Sequence, residues 1–161
     1  PHPQPEPQGR GAEQGGPVIL NLGCGAHPFP GCVNVDKVGV PDAVAWNLDE
    51  RWPIPDADIE LIYLVQVFEH VGDPEHFMGE AHRVLKQGGA LIITTPDYRH
   101  PNSFTDPTHV RHCTERTFDY WCAHTDLFEQ FGKPVWGDEA PFEKVSVVTN
   151  EVDICAVLRK R

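Results

Sequence analysis

Apolar residues occur along the chain in short runs separated by turn-forming residues, a pattern that predicts buried β-strands. The first run, VILNLGCG from Val18, ends in glycines, as expected of a strand buried on both faces of a parallel sheet. Two further short strands are predicted at 32–37 and 42–48, and a longer one at 59–68. The chain therefore places four strands before its first long helix.

The first long helix is predicted over residues 74–86. Asp73 supplies an N-cap and Pro74 a first-turn proline, apolar residues then recur at helical spacing, and Gln87-Gly88-Gly89 ends the helix. The apolar run that follows, 90–96, predicts a fifth buried strand.

The last third of the chain predicts a second helix and two closing strands. The helix covers 114–125 with Thr114 as its cap, and the strands cover 145–150 and 152–160, with Asn150-Glu151 in the turn between them. Together the pattern predicts an α/β, Rossmann-like doubly wound fold. Its seven-stranded sheet is mostly parallel and ends in an antiparallel C-terminal hairpin.

The first sixteen residues have a different composition from the rest. Prolines alternate with polar residues and then give way to glycines, and the segment holds no apolar residue larger than alanine. Residues 1–16 are therefore predicted to be a disordered tail, with binding to a protein partner as the alternative, and 17–161 to be one domain.

Charge and cysteine content narrow the classes of partner. Thirteen basic against 24 acidic residues give a net charge of −11, which disfavours nucleic acid. No apolar run approaches the length of a membrane span, so no membrane association is expected. Five cysteines without a C-x-x-C pair, and no secretory pattern at the start of the sequence, predict reduced thiols and a cytoplasmic location.

Candidate binding residues follow the first two strands. In an open parallel sheet, ligands bind outside the carboxyl ends of the strands. The glycine turn Gly23-Cys24-Gly25 lets a ligand approach the backbone closely, and Asp36 at the end of the second strand is suited to accept hydrogen bonds from ribose hydroxyls. The pair predicts an adenosine-type ligand.

Three stretches resemble successive segments of class I, methyltransferase-type-11-like enzymes. They are LNLGCG, NVD, and the run from WNLDERWPIP through FEH and RVLKQGG into IITTPDY. The resemblance spans residues 18–98. It implies a methyltransferase that uses S-adenosylmethionine as its cofactor, with a methyl acceptor that the sequence does not identify.

The resemblance also implies which residues contact the cofactor. These are Leu22, Gly23, Cys24 and Gly25 at the methionine end, Asp36 at the ribose, Asn47, Leu48 and Asp49 at the adenine edge, and Gln66 near the methionine amino group. Glu69 and His70 match the family's E-H pair and are expected to tie the fourth strand to the following helix. Cys24 is interpreted as a small apolar filler rather than a nucleophile.

Two features depart from the usual pattern. The third glycine of G-x-G-x-G is His27, and Gly25 precedes Asp36 by only eleven residues, so the first crossover helix is predicted to be shortened. The shortening also counts against a nicotinamide-dependent reductase, because a pyrophosphate needs a longer helix at whose N-terminus it binds. The remaining alternative to an enzyme is a methyltransferase-fold binding or assembly protein without catalysis.

The polar segment 96–118 follows the fifth strand, at the rim where an acceptor would enter. Asp106 and His109 are the candidate general bases, and a turn with surface histidines is the alternative interpretation of the same residues. Arg99 and Arg111 are candidates for holding an acidic acceptor. The histidines and cysteines of 97–124 have no recognised zinc spacing, so no metal is predicted.

Overall fold

The computed structural model describes residues 16–161, so all but the last residue of the predicted tail lies outside it. Seven strands form one sheet in the order β3-β2-β1-β4-β5-β7-β6. The strands are β1 Ile19–Leu22, β2 Val33–Asp36, β3 Val44–Ala45, β4 Ile59–Val65, β5 Leu85–Pro96, β6 Phe142–Thr149 and β7 Asp153–Lys160. β1 to β5 pair in parallel, and β7 pairs antiparallel with both β5 and β6. The predicted sheet and its C-terminal hairpin are confirmed.

Helices are few and mostly short. Within residues 16–161 the α-helices are α1 Pro74–Val84, α2 Asn102–Thr105 and α3 Lys133–Trp136, and turns of 3₁₀- or π-helix cover Phe68–His70, Thr117–Trp121 and Phe128–Gly132. Asp73 caps α1 as predicted, since its side chain accepts the backbone N–H of His76 at 3.0 Å. None of the helices in residues 16–161 has the length and apolar composition needed to cross a membrane.

The predicted end of α1 is wrong by two residues. Leu85 leaves the helical conformation and pairs with Ile59 of β4, so β5 begins at once and contains Gly88 and Gly89. Leu85 is fully buried when it pairs with Ile59, and this burial stabilises the strand more than a further turn of helix would. The glycines therefore lie within an irregular first part of a strand rather than in a connecting turn.

The predicted helix over 114–125 is also wrong. Only Thr117–Trp121 is helical, as a tight 3₁₀ turn, and Thr114 does not cap it. Thr117 Oγ1 accepts the backbone N–H of Thr114 at 2.8 Å, and Thr125 Oγ1 donates to the carbonyl of Asp119 at 2.6 Å. These side-chain bonds to the backbone offer the segment an alternative to a regular helix.

The hydrophobic core lies between the sheet and α1. Phe77, Met78 and Ala81 of α1 are fully buried, and Trp52 packs edge-on against Phe77 with the ring centroids 5.3 Å apart. Because Trp52 is only 1% exposed, it belongs to the core. All five cysteines of the chain are free thiols, in agreement with the prediction of reduced cysteines.

The connection between β1 and β2 contains no helix, and the Asn34 side chain organises it instead. Asn34 Oδ1 accepts from Asn21 Nδ2 at 2.9 Å and from the backbone N–H of Phe29 at 2.8 Å, while its Nδ2 donates to the Phe29 carbonyl at 3.1 Å. The Phe29 ring also lies 5.7 Å from that of Tyr63 on β4. The crossover is therefore held by one amide and one aromatic contact, which explains how strand two fits so close to strand one.

Replacing Asn34 should destabilise the fold more than replacing its strand neighbour Asn21. Asn34→Leu removes the bonds to Asn21 and to both backbone groups of Phe29, and we expect a loss of about 2–4 kcal/mol in the free energy of unfolding. Asn21→Leu removes one bond and should cost about 1–2 kcal/mol. Urea denaturation of the two variants measures both values. Equal losses would show that Asn34 does not hold the crossover.

Candidate functional site

The loops that follow β1 to β4 meet at one edge of the sheet, where the parallel strands have their carboxyl ends. Gly23 adopts φ +64°, and a Cβ built there would lie 2.2 Å from Cγ2 of Val67 in the loop after β4. Only glycine fits, because both the backbone conformation and the neighbouring side chain exclude a larger residue. Gly23 thus lets the loop after β1 pack directly against the loop after β4.

Gly25 and Asp36 form the centre of the predicted cofactor end. Gly25 has φ +51°, and a Cβ built there meets no atom within 4 Å, so the loop faces open space. Asp36 Oδ2 accepts the Gly25 N–H at 2.8 Å and Oδ1 accepts the Val38 N–H at 3.1 Å. Each carboxylate oxygen can accept a second bond, so Asp36 fits a ribose diol beside the open loop.

The predicted adenine-edge residues form a turn that is fixed by its own hydrogen bonds. Asn47 Oδ1 accepts the N–H of Asp49 at 3.2 Å, and the Leu48 carbonyl accepts from Trp52 Nε1 at 3.2 Å. Asp49 Oδ1 accepts the N–H of Gly72 at 3.1 Å, which ties the turn to the start of α1. The turn lies beyond the end of β3, on the same edge as Asp36.

Cys24 and Leu22 contribute packing to this end of the sheet. Leu22 is fully buried in β1, and Cys24 is 7% exposed. Burial, together with the nearby Asp36 charge, raises the pKa of the Cys24 thiol above its usual value. A thiol with a raised pKa is a poor nucleophile, which supports the interpretation of Cys24 as an apolar filler.

A cavity of about 520 Å³ opens beyond the ends of β4 and β5. It is lined by Gln66, Pro96, Asn102, Thr105, Asp106, Pro107 and His109. Gln66 adopts φ +55°, and its Nε2 donates to Asp153 Oδ1 at 2.9 Å. The amide of Gln66 therefore extends across the end of β5 toward β7 and faces this cavity. Asp106 and His109, the predicted general bases, both line it.

His109 and Asp106 share the cavity but make different contacts. His109 Nδ1 lies 3.1 Å from the Ser103 carbonyl, so the carbonyl rather than Asp106 orients the ring. Asp106 Oδ1 accepts from the backbone N–H of Thr108 at 2.8 Å and from its Oγ1 at 2.7 Å. These two bonds lower the pKa of Asp106, so its carboxylate is a weak base that orders the loop.

Glu69 is a buried carboxylate beneath His109. It is 2% exposed, its Oε2 accepts from Thr95 Oγ1 at 2.9 Å, and its backbone carbonyl accepts the N–H of Val110. Burial raises the pKa of Glu69. The expectation that the E-H pair ties β4 to α1 is wrong, since Glu69 joins β5 and the loop at 106–110. Thr95 is hidden within an apolar run, and nothing in the sequence pointed to it.

Two histidines and this carboxylate come together. The rings of His70 and His109 pack edge to face with centroids 4.7 Å apart, and ligand atoms of Glu69, His70 and His109 all lie within 4.8 Å of one another. This cluster was not predicted from the sequence, because two of its three residues follow β4 and lie outside the histidine- and cysteine-rich segment 97–124.

The two arginines considered for an acidic acceptor already have partners. Arg99 forms two bonds to Asp97, at 2.9 and 2.7 Å, and one to Glu115 at 2.9 Å. Arg111 donates to the Phe68 carbonyl at 3.2 Å and lies over the Phe68 ring, 5.3 Å from its centroid. Both side chains fix loops around the cavity.

A second cavity, of about 860 Å³, lies at the opposite edge of the sheet. Gln87 and Gly88 from the first part of β5 line it, together with Lys160 at the end of the antiparallel β7. The cavity is therefore remote from the carboxyl ends of the parallel strands, where ligands of this sheet type bind. We assign the functional site to the edge that holds Asp36 and His109.

The chain is similar to known methyltransferases over part of its length. Residues 33–93 match the family model of the methyltransferase domain. Over 51 residues the chain is 41% identical to a probable S-adenosylmethionine-dependent methyltransferase of Mycolicibacterium smegmatis, a stretch covering 32% of this chain and 20% of that protein. Probable S-adenosylmethionine-dependent methyltransferases of Mycobacterium tuberculosis match at the same identity, with 18% of their length covered. The chain spans about a fifth of the length of these curated relatives.

Solved structures show the same fold over most of the chain. An S-adenosylmethionine-dependent methyltransferase from Mesorhizobium loti aligns with a TM-score of 0.64 at 15% identity, covering 91% of this chain and 92% of that one. A putative methyltransferase complex with the Trm112 methyltransferase activator, from Haloferax volcanii, aligns with a TM-score of 0.62 at 12% identity, covering 90% and 83%.

The fold is therefore that of the class I, Rossmann-like methyltransferases. The family-model match over residues 33–93 and the curated relatives confirm the resemblance to S-adenosylmethionine-dependent methyltransferases. The family implies S-adenosylmethionine as cofactor, and the open loop at Gly25 beside the Asp36 carboxylate fits it.

Alanine at Gly23 and at Gly25 should have different effects on stability. Both residues have positive φ, which costs a side chain about 1–2 kcal/mol. Gly23→Ala must also displace Val67, so we expect a total loss of about 2–5 kcal/mol, against about 1–2 kcal/mol for Gly25→Ala. Thermal and urea denaturation measure the difference. Similar losses would contradict the close contact between the two loops.

Proposed function

We propose that this chain binds S-adenosylmethionine at the loops after β1 to β3 and transfers its methyl group to an acceptor in the 520 Å³ cavity beyond β4 and β5. The observation that carries the proposal is that the Asp36 loops and the cavity lie at the same edge of the sheet. Asp36 and the open Gly25 loop lie at one part of this edge, and the cavity lies at the other.

The residues of the cofactor end divide the work of binding. Asp36 accepts hydrogen bonds from the ribose hydroxyls, the turn at 47–49 borders the adenine, and the loop at 22–25 receives the methionine part. Gln66 lies between this loop and the cavity, where its amide contacts Asp153. When bound, S-adenosylmethionine supplies a methyl group already activated on a sulfonium, so positioning the acceptor is the main task left to the protein.

The acceptor gives up a proton as its lone pair bonds to the methyl carbon and the sulfur retains the electrons of the broken C–S bond. His109 and Asp106 line the cavity in which this proton is released. The low pKa of Asp106 makes it a weak base, so we assign the role at the acceptor to His109. Its Nε2 offers either a direct base or a ligand for a metal ion that acidifies the acceptor.

The identity of the acceptor is open to small molecules, sugars and protein groups. A protein partner is a further part of the proposal, supported by the predicted proline-rich segment 1–16 and by the Haloferax volcanii complex with its Trm112 activator. The five free thiols support action in the cytoplasm. A binding or assembly role without catalysis is not favoured by the curated relatives, which are named as probable methyltransferases.

Calorimetry should detect binding of S-adenosylmethionine and S-adenosylhomocysteine. Asp36→Ala removes hydrogen bonds to a charged acceptor worth about 1.5–3 kcal/mol, so the Kd should rise by about 10- to 100-fold. Asp138→Ala, an exposed carboxylate at the opposite edge of the sheet, is the matched control and should leave the Kd unchanged. NAD should not compete.

A well-folded chain that binds neither compound would overturn the proposal. Circular dichroism of Asp36→Ala must accompany the titration, because Asp36 also accepts the N–H groups of Gly25 and Val38. If Asp36→Ala does not fold, Asp36→Asn is used in its place. It keeps one acceptor oxygen, so its affinity for S-adenosylmethionine should lie below that of the wild type but remain measurable.

Filling the cavity should separate cofactor binding from methyl transfer. Thr105 is an exposed cavity residue, and Thr105→Trp should block an acceptor and lower turnover at least about 10-fold while leaving the Kd for S-adenosylmethionine unchanged. Thr149→Trp, on the exposed edge strand β6, is the control. Turnover is measured as release of S-adenosylhomocysteine over a pool of candidate acceptors. Unchanged turnover in Thr105→Trp would remove this cavity from the proposal.

A further inference from the structure

One oxygen of the buried Glu69 carboxylate has no hydrogen-bond partner among the described residues. Oε2 is occupied by Thr95, and Oε1 is the oxygen concerned, which is fully buried. His109 Nε2 lies 4.0 Å from Oε1, beyond the reach of a hydrogen bond. An unpaired buried carboxylate oxygen is costly, so Oε1 is suited to bind a ligand between the two side chains.

The hydrogen bonds of His109 define which ring nitrogen faces that gap. Nδ1 lies 3.1 Å from the Ser103 carbonyl, which can only accept, so Nδ1 carries the proton. In the neutral imidazole Nε2 then has a lone pair, and Nε2 is the ring atom 4.0 Å from Glu69 Oε1. The side chain of His109 is 8% exposed, so this lone pair is largely shielded from bulk solvent.

His70 is fixed in the same tautomer by a longer chain of bonds. Its Nδ1 lies 3.2 Å from the Thr108 carbonyl and 3.0 Å from Thr108 Oγ1. The Thr108 hydroxyl donates its proton to Asp106 Oδ1 at 2.7 Å, so toward His70 it can only accept. Nδ1 of His70 therefore also carries the proton, and its Nε2 is free to bind a ligand.

We propose that Glu69, His70 and His109 bind a divalent transition-metal ion, with an open coordination position toward the acceptor cavity. Two neutral imidazoles and one carboxylate are a ligand set that holds Zn²⁺ or Fe²⁺ and leaves room for water or substrate. Ligand atoms of such an ion lie about 3.3 Å apart, against up to 4.8 Å here, so binding draws them together by up to about 1.5 Å.

The hydrogen bonds around the three side chains are those that orient the ligands of a metal ion. Metal-binding histidines donate their other N–H to a carbonyl or carboxylate-linked group, as His109 does to Ser103 and His70 to Thr108. Thr95 donates a hydrogen bond to Glu69, and Asp106 accepts one from Thr108. Asp106 is thus a positioning residue: it accepts two hydrogen bonds from Thr108, and Thr108 in turn orients His70.

The catalytic role of this metal ion rests on the proposed methyl transfer. An acceptor hydroxyl that takes the open position loses its proton more readily, because a bound cation lowers the pKa of a coordinated oxygen. Its oxygen would then bond to the methyl carbon as the C–S bond of S-adenosylmethionine breaks, with the electron pair kept by sulfur and the proton released to solvent. The acceptor class is therefore a molecule with a hydroxyl group able to coordinate the ion.

Titration of the full chain after chelator treatment tests the site without any turnover. Co²⁺ and Zn²⁺ are added to the wild type, Glu69→Gln, His109→Gln and the control His124→Gln, an exposed histidine outside the cluster. We expect one ion per wild-type chain and an absorption spectrum of Co²⁺ with nitrogen and oxygen ligands. The Glu69 and His109 variants should lose at least about 10- to 100-fold in affinity, as should the outer-shell variant Thr95→Val, while His124→Gln keeps the wild-type affinity.

The outcomes separate this inference from the proposed function. Absence of stoichiometric binding, equal binding by all variants, or a thiolate-to-cobalt band that identifies a cysteine site would each overturn the metal centre. Thermal melts confirm that the variants are folded. Binding of S-adenosylmethionine is measured on the same samples, so a chain that binds the cofactor but no metal disproves only the metal centre.

Discussion

β1 and β2 pair in parallel, so the chain between Leu22 and Val33 must run back from the carboxyl end of β1 to the amino end of β2. The Asn34 amide holds this short connection in place. Its bonds to Asn21 and Phe29 replace the crossover helix that normally fills this space. Asp36 follows two residues later and can then bond the N–H of Gly25. The cofactor end of the site thus depends on one buried side chain.

The proposed cofactor end and the proposed acceptor end are joined by a packing contact rather than by one continuous segment of chain. Gly23 packs against Val67, which lies beside Gln66 and two residues before Glu69. The segment 66–70 therefore contacts the cofactor loop on one side and supplies the carboxylate, one histidine and the cavity amide on the other.

The central strands were predictable because they are short apolar runs bounded by turn-forming residues, and the cap at Asp73 because Pro74 and the apolar spacing of the helix follow it. The predicted helix at 114–125 failed because threonine hydroxyls bond the backbone there, which periodicity does not reveal. The Glu69, His70 and His109 cluster could not be predicted, since its members come from separate segments. Thr95 looks like any strand residue until its hydroxyl is seen on Glu69.

The short crossover also changes the order in which the fold can assemble. Asn21 and Asn34 bond across the strands at a separation of 13 residues, whereas a β-strand, helix and β-strand unit usually spans about 30. Closing the shorter loop saves about 0.7 kcal/mol of chain entropy. Local contacts of low sequence separation form early, so the β1–β2 pair is suited to be a nucleus on which β4 and β5 later dock.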